Sequence, residues 1–160
     1  MRAKWLLAAL VILGVLTACQ GGGTQGMIVK DPWVRPSPMI AGNGAGYLVI
    51  QNRSGADDAL IGARADFADA VEIHESYVVE QQDAAEDGMG EMEGVGEMMG
   101  MRPVDAVPVP AGGEVVLEPG GYHIMFIGIN EMLEPGTTVT FTLVFESGLT
   151  LEVEAEVRAQ

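Results

Sequence analysis

His123 and Met125 stand two residues apart in the run Tyr122-His123-Ile124-Met125-Phe126, and the run is rich in apolar and β-branched types. In an extended strand successive side chains point to opposite faces. An imidazole and a thioether would therefore project from the same side, about 6–7 Å apart. Tyr122, Ile124 and Phe126 would face the other way and suit a core. The only other histidine, His74, has the same setting: Val71 and Ile73 point inward, while Glu72, His74 and Ser76 point outward. Thioether sulfur is soft and prefers Cu(I) to hard cations, and imidazole suits copper as well. Methionine has no proton to lose near neutral pH and forms no disulfide, so it works as a copper ligand in an oxidising compartment. Its weakness is slower oxidation to the sulfoxide. The bland alternative is that both histidines are ordinary half-exposed strand residues and Met125 is core filler. His-x-Met alone is a weak signal; what strengthens it is that both histidines of the chain share one strand setting.

Other chemistries find little support. The motifs of a nucleophile elbow, a P-loop and a dinucleotide turn are missing, and no serine lies in a nucleophile context, so an enzyme is not expected. A single cysteine, Cys19, excludes an intramolecular disulfide framework, a cysteine zinc site and a CxxC redox centre. It also excludes a blue-copper electron carrier, which needs a thiolate beside two histidines. Eight Lys and Arg against 23 Asp and Glu give a net charge of −15, a surface unsuited to nucleic acid.

The elements that must position these donors are short strands punctuated by Gly and Pro. They include Gly46–Asn52, Ala70–Val79, Val115–Leu117 and Tyr122–Ile129. The clearest pattern comes last. Val139, Phe141, Leu143 and Phe145 alternate with threonines, and Leu149, Leu151, Val153, Ala155 and Val157 alternate with Thr150, Glu152, Glu154 and Glu156. A period of two on both sides of Ser147-Gly148 predicts a hairpin closed by a two-residue turn. With no βαβ rhythm, the whole reads as an antiparallel sandwich or barrel. Val79–Met101 breaks the pattern: its 23 residues carry seven acids, five Gly, five Met and no Lys or Arg, which predicts a surface loop over residues 79–100. Met89, Met92, Met98 and Met99 in this tract admit two readings. They bind an accessory copper ion, aided by the carboxylates, or they belong to a solvated insertion that binds nothing.

The N-terminus has the form of an export signal. Arg2 and Lys4 precede 13 uncharged residues, Trp5–Thr17, too few for the roughly 20 that span hydrocarbon. Leu16-Thr17-Ala18-Cys19 resembles the lipobox of bacterial lipoproteins, with Cys19 as the lipidated residue. The expected organisation is a signal peptide over residues 1–18, a Gly-rich tether over 19–26 and a working domain over 27–160. The protein is then extracytoplasmic and lipid-anchored to a bacterial membrane, on the cell surface or the periplasmic side, and a monomer.

The combined pattern resembles the periplasmic copper chaperones of the PCu(A)C type. In that family a His is followed about ten residues on by a Met, then by 21 residues, then by His-x-Met. Here 21 residues separate Met101 from His123, and Met125 follows. The flanking text matches too: Met101-Arg102-Pro103-Val104, Pro110-Ala111-Gly112-Gly113, Pro119-Gly120-Gly121, and upstream Trp33-Val34-Arg35-Pro36, Gly46-Tyr47-Leu48 and Glu72-Ile73-His74. The likeness runs from about residue 28 to 157. It implies a cupredoxin-like antiparallel Greek-key β-sandwich and a Cu(I) site of His74, Met101, His123 and Met125. It further implies a metallochaperone that passes copper to a membrane acceptor such as a cytochrome c oxidase subunit. One departure stands out: 26 residues lie between His74 and Met101, the extra ones falling in the acidic tract, with Met98 and Met99 as fallbacks for the second position. The competing reading is a metal-free, lipid-anchored adhesion or scaffold module that binds a protein partner.

Overall fold

The computed structural model describes residues 26–36, 42–79 and 98–159. Ten strands occur in order: β1 (Met27–Pro36), β2 (Gly44–Asn52), β3 (Asp58–Arg64), β4 (Ala68–Val79), β5 (Met98–Pro103), β6 (Val107–Val109), β7 (Glu114–Leu117), β8 (Tyr122–Ile129), β9 (Thr138–Phe145) and β10 (Thr150–Val157). No helix occurs among the described residues. Hydrogen bonds link the strands in the order β5-β4-β8-β7-β2-β1-β10-β9-β3-β6. The pairings are antiparallel, except that β1 runs parallel to β10 and β7 meets β8 in parallel at Leu117 and Tyr122.

This continuous ladder is folded into two packed layers. β3 and β4 lie near opposite ends of the strand order, yet only residues 65–67 join them. A connection that short spans at most about 14 Å, enough to cross the ~10 Å between facing sheets but not the width of a ten-stranded one. β10, β9, β3 and β6 continue the ladder from β1 while β4, β5, β7 and β8 form the facing layer, which is a Greek-key path. The expected all-β sandwich is what forms.

Aromatic packing between the layers fixes where β8 sits. Phe67, in the β3–β4 connection, lies 4.9 Å from Phe126 of β8, and Phe126 lies 5.4 Å edge-on from Phe141 of β9. Ile124 and Phe126 are fully buried. Gly46 on β2 makes room for this, because a Cβ there would stand 2.9 Å from the Phe126 ring.

Three features depart from the expected pattern. The β9–β10 hairpin exists, but Phe145 faces Leu149 across Glu146-Ser147-Gly148, a three-residue connection with Gly148 at φ +84°. A three-residue loop ending on a left-handed glycine matches the strand twist, as a two-residue turn of these residue types would not. Second, Met98–Pro103 is strand: the end of the tract read as a loop pairs with β4 over its whole length. Residues 80–97, with Met89 and Met92, lie outside the described residues, as do the N-terminal segment and Cys19. Third, β1 and β3 carry no clean alternation. β1 changes register between Lys30 and Trp33, at Asp31 with φ +47°, and β3 does so between Leu60 and Gly62.

Because Phe126 bridges the two layers, Phe126→Ala should cost about 3–5 kcal/mol of unfolding free energy. Denaturant titration of the metal-free chain measures it. A loss below about 1 kcal/mol would mean the layers are held together elsewhere.

Candidate metal centre

Strand alternation turns one face of β4 and β8 into the core and the other outward. Ile73, Ile124 and Phe126 fill the interior. On the outer face His74 pairs directly with His123, and Glu72 with Met125. Cross-strand partners share a face, so the two imidazoles sit side by side, their ring centroids 5.7 Å apart. β5 extends this face on the far side of β4, where Met101 pairs with Ser76 and Pro103 with His74. Met101 is thus diagonal to His74, one pair toward the β4–β5 connection, and Met125 flanks the histidines on the opposite side. The structure therefore brings His74, His123, Met101 and Met125 onto one surface. Neither sulfur is sealed in the core: Met101 is 58% exposed and Met125 half-buried.

Hydrogen bonds set which ring nitrogen is free. Nδ1 of His123 lies 3.1 Å from the Gly121 carbonyl, which can only accept. The proton is therefore on Nδ1, and Nε2 keeps its lone pair. The same carbonyl accepts from the Ser76 amide at 3.1 Å, so the turn before β8 ties β4 and His123 together. On His74 the roles are reversed. Nε2 lies 2.7 Å from a Glu72 carboxylate oxygen and donates to it. Nδ1 of His74 is buried and has no hydrogen-bond partner among the described residues. A buried polar atom left unpaired costs about 1–3 kcal/mol, and a lone pair aimed at a cation would recover that cost. A carboxylate or carbonyl on the far nitrogen is the usual way a metal-binding imidazole is oriented.

His123 is buried although it faces away from the core, at 4% exposure. Tyr47, on β2, covers it with ring centroids 6.4 Å apart, and Trp33 of β1 stacks on Tyr47 at 4.4 Å. Arg35 donates from Nε to the Tyr47 hydroxyl at 3.2 Å, and its guanidinium lies over the Tyr47 ring. Burial, opposed by the hydrogen bond to Gly121 and reinforced by nearby His74 and Arg35, holds the His123 pKa below its ordinary 6.5. The ring thus stays neutral, the form in which it can coordinate, into mildly acidic solution. This aromatic cover was not assigned a role from sequence. The signal was the alternation of Trp33 and Arg35 ahead of Tyr47, legible only once β1 is known to pair with β2.

The donor set is soft. Among the described residues no group of three or more His, Cys, Asp and Glu side chains is placed to hold an ion. A centre here would have two imidazoles and would need thioethers to complete it, a combination that suits Cu(I) and not Ca²⁺ or Mg²⁺. Met99, 54% exposed, lies on the same face, opposite Val78. No side-chain position is described for Met98.

With this fold and face in view, the chain is similar to solved PCuAC domains. The copper-bound PCuAC domain from PmoF2 superposes with a TM-score of 0.63 at 24% identity, covering 84% of this chain and 94% of that one. The solution structure of CuI-DR1885 from Deinococcus radiodurans gives a TM-score of 0.59 at 28% identity, covering 88% and 85%. The cupredoxin-like β-sandwich of these domains is the fold of this protein. Among sequence relatives, "Putative lipoprotein Lxx21020" of Leifsonia xyli subsp. xyli (strain CTCB07) is 27% identical over 162 residues, which span 94% of this chain and 86% of that protein. The family model described as "Putative lipoprotein LpqE-like" matches residues 27–157, and the chain belongs to that family.

The lowered pKa of His123 has a consequence for the metal-free fold. Well above pH 6.5 the ring is neutral whether folded or unfolded, and stability is at its full value. As pH falls from there through the folded-state pKa, the unfolded chain binds a proton that the fold resists, so stability is lost. Melting temperature should therefore drop between about pH 7.5 and about pH 5.5, above the range where carboxylates titrate. His123→Gln should flatten that slope, whatever it does to the absolute value. An unchanged slope would place the titration elsewhere.

Proposed function

We propose that this protein is an extracytoplasmic Cu(I) metallochaperone whose site is His74, Met101, His123 and Met125. The observation that carries the reading is the pair of imidazoles on one outer face, with a buried His74 nitrogen lacking any partner among the described residues. Met101 and Met125 flank that pair. Support comes from the 28% identical Cu(I) form of DR1885 from Deinococcus radiodurans, while the copper-bound PmoF2 domain, at 24% identity, shares the fold.

On this reading the chain holds its cargo through neutral donors and releases it by ligand exchange. His and Met ligands leave one at a time as an acceptor's ligands replace them, with no catalytic acid or nucleophile. The acceptor is a copper-receiving membrane protein such as a cytochrome c oxidase subunit, by analogy with the PCu(A)C-type chaperones. Lipidation at Cys19, after removal of residues 1–18, would hold the domain at the membrane on the Gly-rich tether of residues 19–26. The lipoprotein names of the family and of the Leifsonia xyli relative support that anchor.

Anaerobic Cu(I) titration against a coloured chelator tests the site. His123→Ala and Met125→Leu should each weaken Cu(I) binding while the far-UV spectrum stays that of the parent. The loss should exceed the roughly 10- to 100-fold typical of removing a ligand's hydrogen-bond partner. Affinity equal to the parent in both variants would refute the site, and no tight copper uptake by the parent would leave the metal-free scaffold reading.

A further inference from the structure

Met99 is a thioether on the metal-binding face that the four-donor site does not use. It stands opposite Val78 on β4, one pair beyond Met101 and four residues along the strand from His74. Four residues of strand measure about 13 Å, beyond what one thioether can span to join the two imidazoles. Met101 is closer on both counts: it is diagonal to His74 and only two residues, about 6–7 Å, from Met99. The Met99 side chain is 54% exposed, yet it does not simply point away from the protein. Its methyl carbon lies 3.9 Å from where a Cβ on Gly120 would stand, in the turn that leads into His123. Gly120 has φ +87°, and the next residue's carbonyl holds the His123 ring. Met99 therefore reaches from the edge strand β5 over β4 to the β7–β8 turn. It lies over the turn that leads into His123, with half-exposed Val78 at its base.

We propose that Met99 is the transfer donor of this site: a thioether that shares the ion with Met101 during loading and release but does not belong to the resting ligand set. The proposal rests on the Cu(I) reading above. The exchange step is balanced without a co-reactant. A sulfur–copper bond to Met99 forms while a bond to one resting ligand breaks. The ion stays Cu(I), no proton moves because both thioethers are neutral, and Met101 remains bound throughout. A shared ligand keeps the ion from passing through a bare, fully dissociated state. Since Met99 contacts the ion only in the intermediate, its removal should change rates and leave affinity alone.

The test follows anaerobic stopped-flow transfer of Cu(I) from the loaded full chain to bathocuproine disulfonate, with equilibrium affinity measured beside it. Met99→Leu keeps volume and hydrophobicity, so folding is not at risk. The expected result is release slowed about tenfold with affinity within about twofold of the parent. Loading must then slow by the same factor, because an unchanged equilibrium constant requires it. Release at the parental rate would overturn the proposal. So would an affinity loss as large as that of His123→Ala, which would make Met99 a resting ligand. Failure of the parent itself to hold Cu(I) would instead remove the underlying reading, and the parental control separates that outcome from the other two.

Discussion

The two-residue period of β4 and β8 is the constraint on which everything else depends. Each strand must bury one row of side chains, Ile73 on β4 and Ile124 with Phe126 on β8, and the ladder then places His74 directly opposite His123 on the other face. The ring separation of 5.7 Å is thus set by the core rather than by any contact between the rings. Slipping β8 by one residue would send both histidine and methionine into the interior and the aromatic residues out, a change the core cannot tolerate. The stability of the sandwich and the geometry of the donors are one property of the sequence.

The outer face carries a polar debt in the metal-free state. A His74 nitrogen is buried without a partner among the described residues, and His123 is sealed under Tyr47, with Trp33 and Arg35 fixing that cover. A fold optimised only for stability would have no reason to leave a lone pair unmatched in so dry a place. Anything that binds the folded state alone adds to its stability. Under the proposed reading, cargo and fold therefore support one another, and the Glu72 and Gly121 contacts engage the far nitrogen of each ring before an ion arrives.

How much of this was legible in advance depends on the strand. The β9–β10 pair shows strict alternation and β8 is an unbroken extended run, so faces could be assigned by taking every second residue, and the outward placement of His123 and Met125 followed. β3 and β6 could not be read: Gly62 sits at a register change, and Val107-Pro108-Val109 is too short for a period to show. β5 was hidden for a different reason. Its Met98–Pro103 segment has the composition of the acidic Gly- and Met-rich tract before it, and only pairing with β4 makes it a strand. That pairing orders the methionines of β5 as spacing alone could not, putting Met101 diagonal to His74 and Met99 one pair further out. The role of Tyr47 lay beyond sequence reasoning, because nothing local to β2 says that its outward tyrosine will close over a histidine of β8, which pairs with β2 through Gly44–Gly46.

Exposure across the donors is graded. His123 is 4% exposed, the His74 side chain 15%, and Met101 58%. If all four were sealed, an acceptor could not reach the ion without unfolding part of the sheet. If all were open, water and small anions would compete for every coordination position. A gradient from a buried imidazole to an exposed thioether on an edge strand avoids both. On the proposed reading the buried imidazole end fixes the ion's position, and the exposed thioether end is where an incoming ligand reaches it. Thioethers suit that end because each bond is weak and costs no proton to break, so one sulfur can be exchanged for another while the rest of the ligand set stays in place.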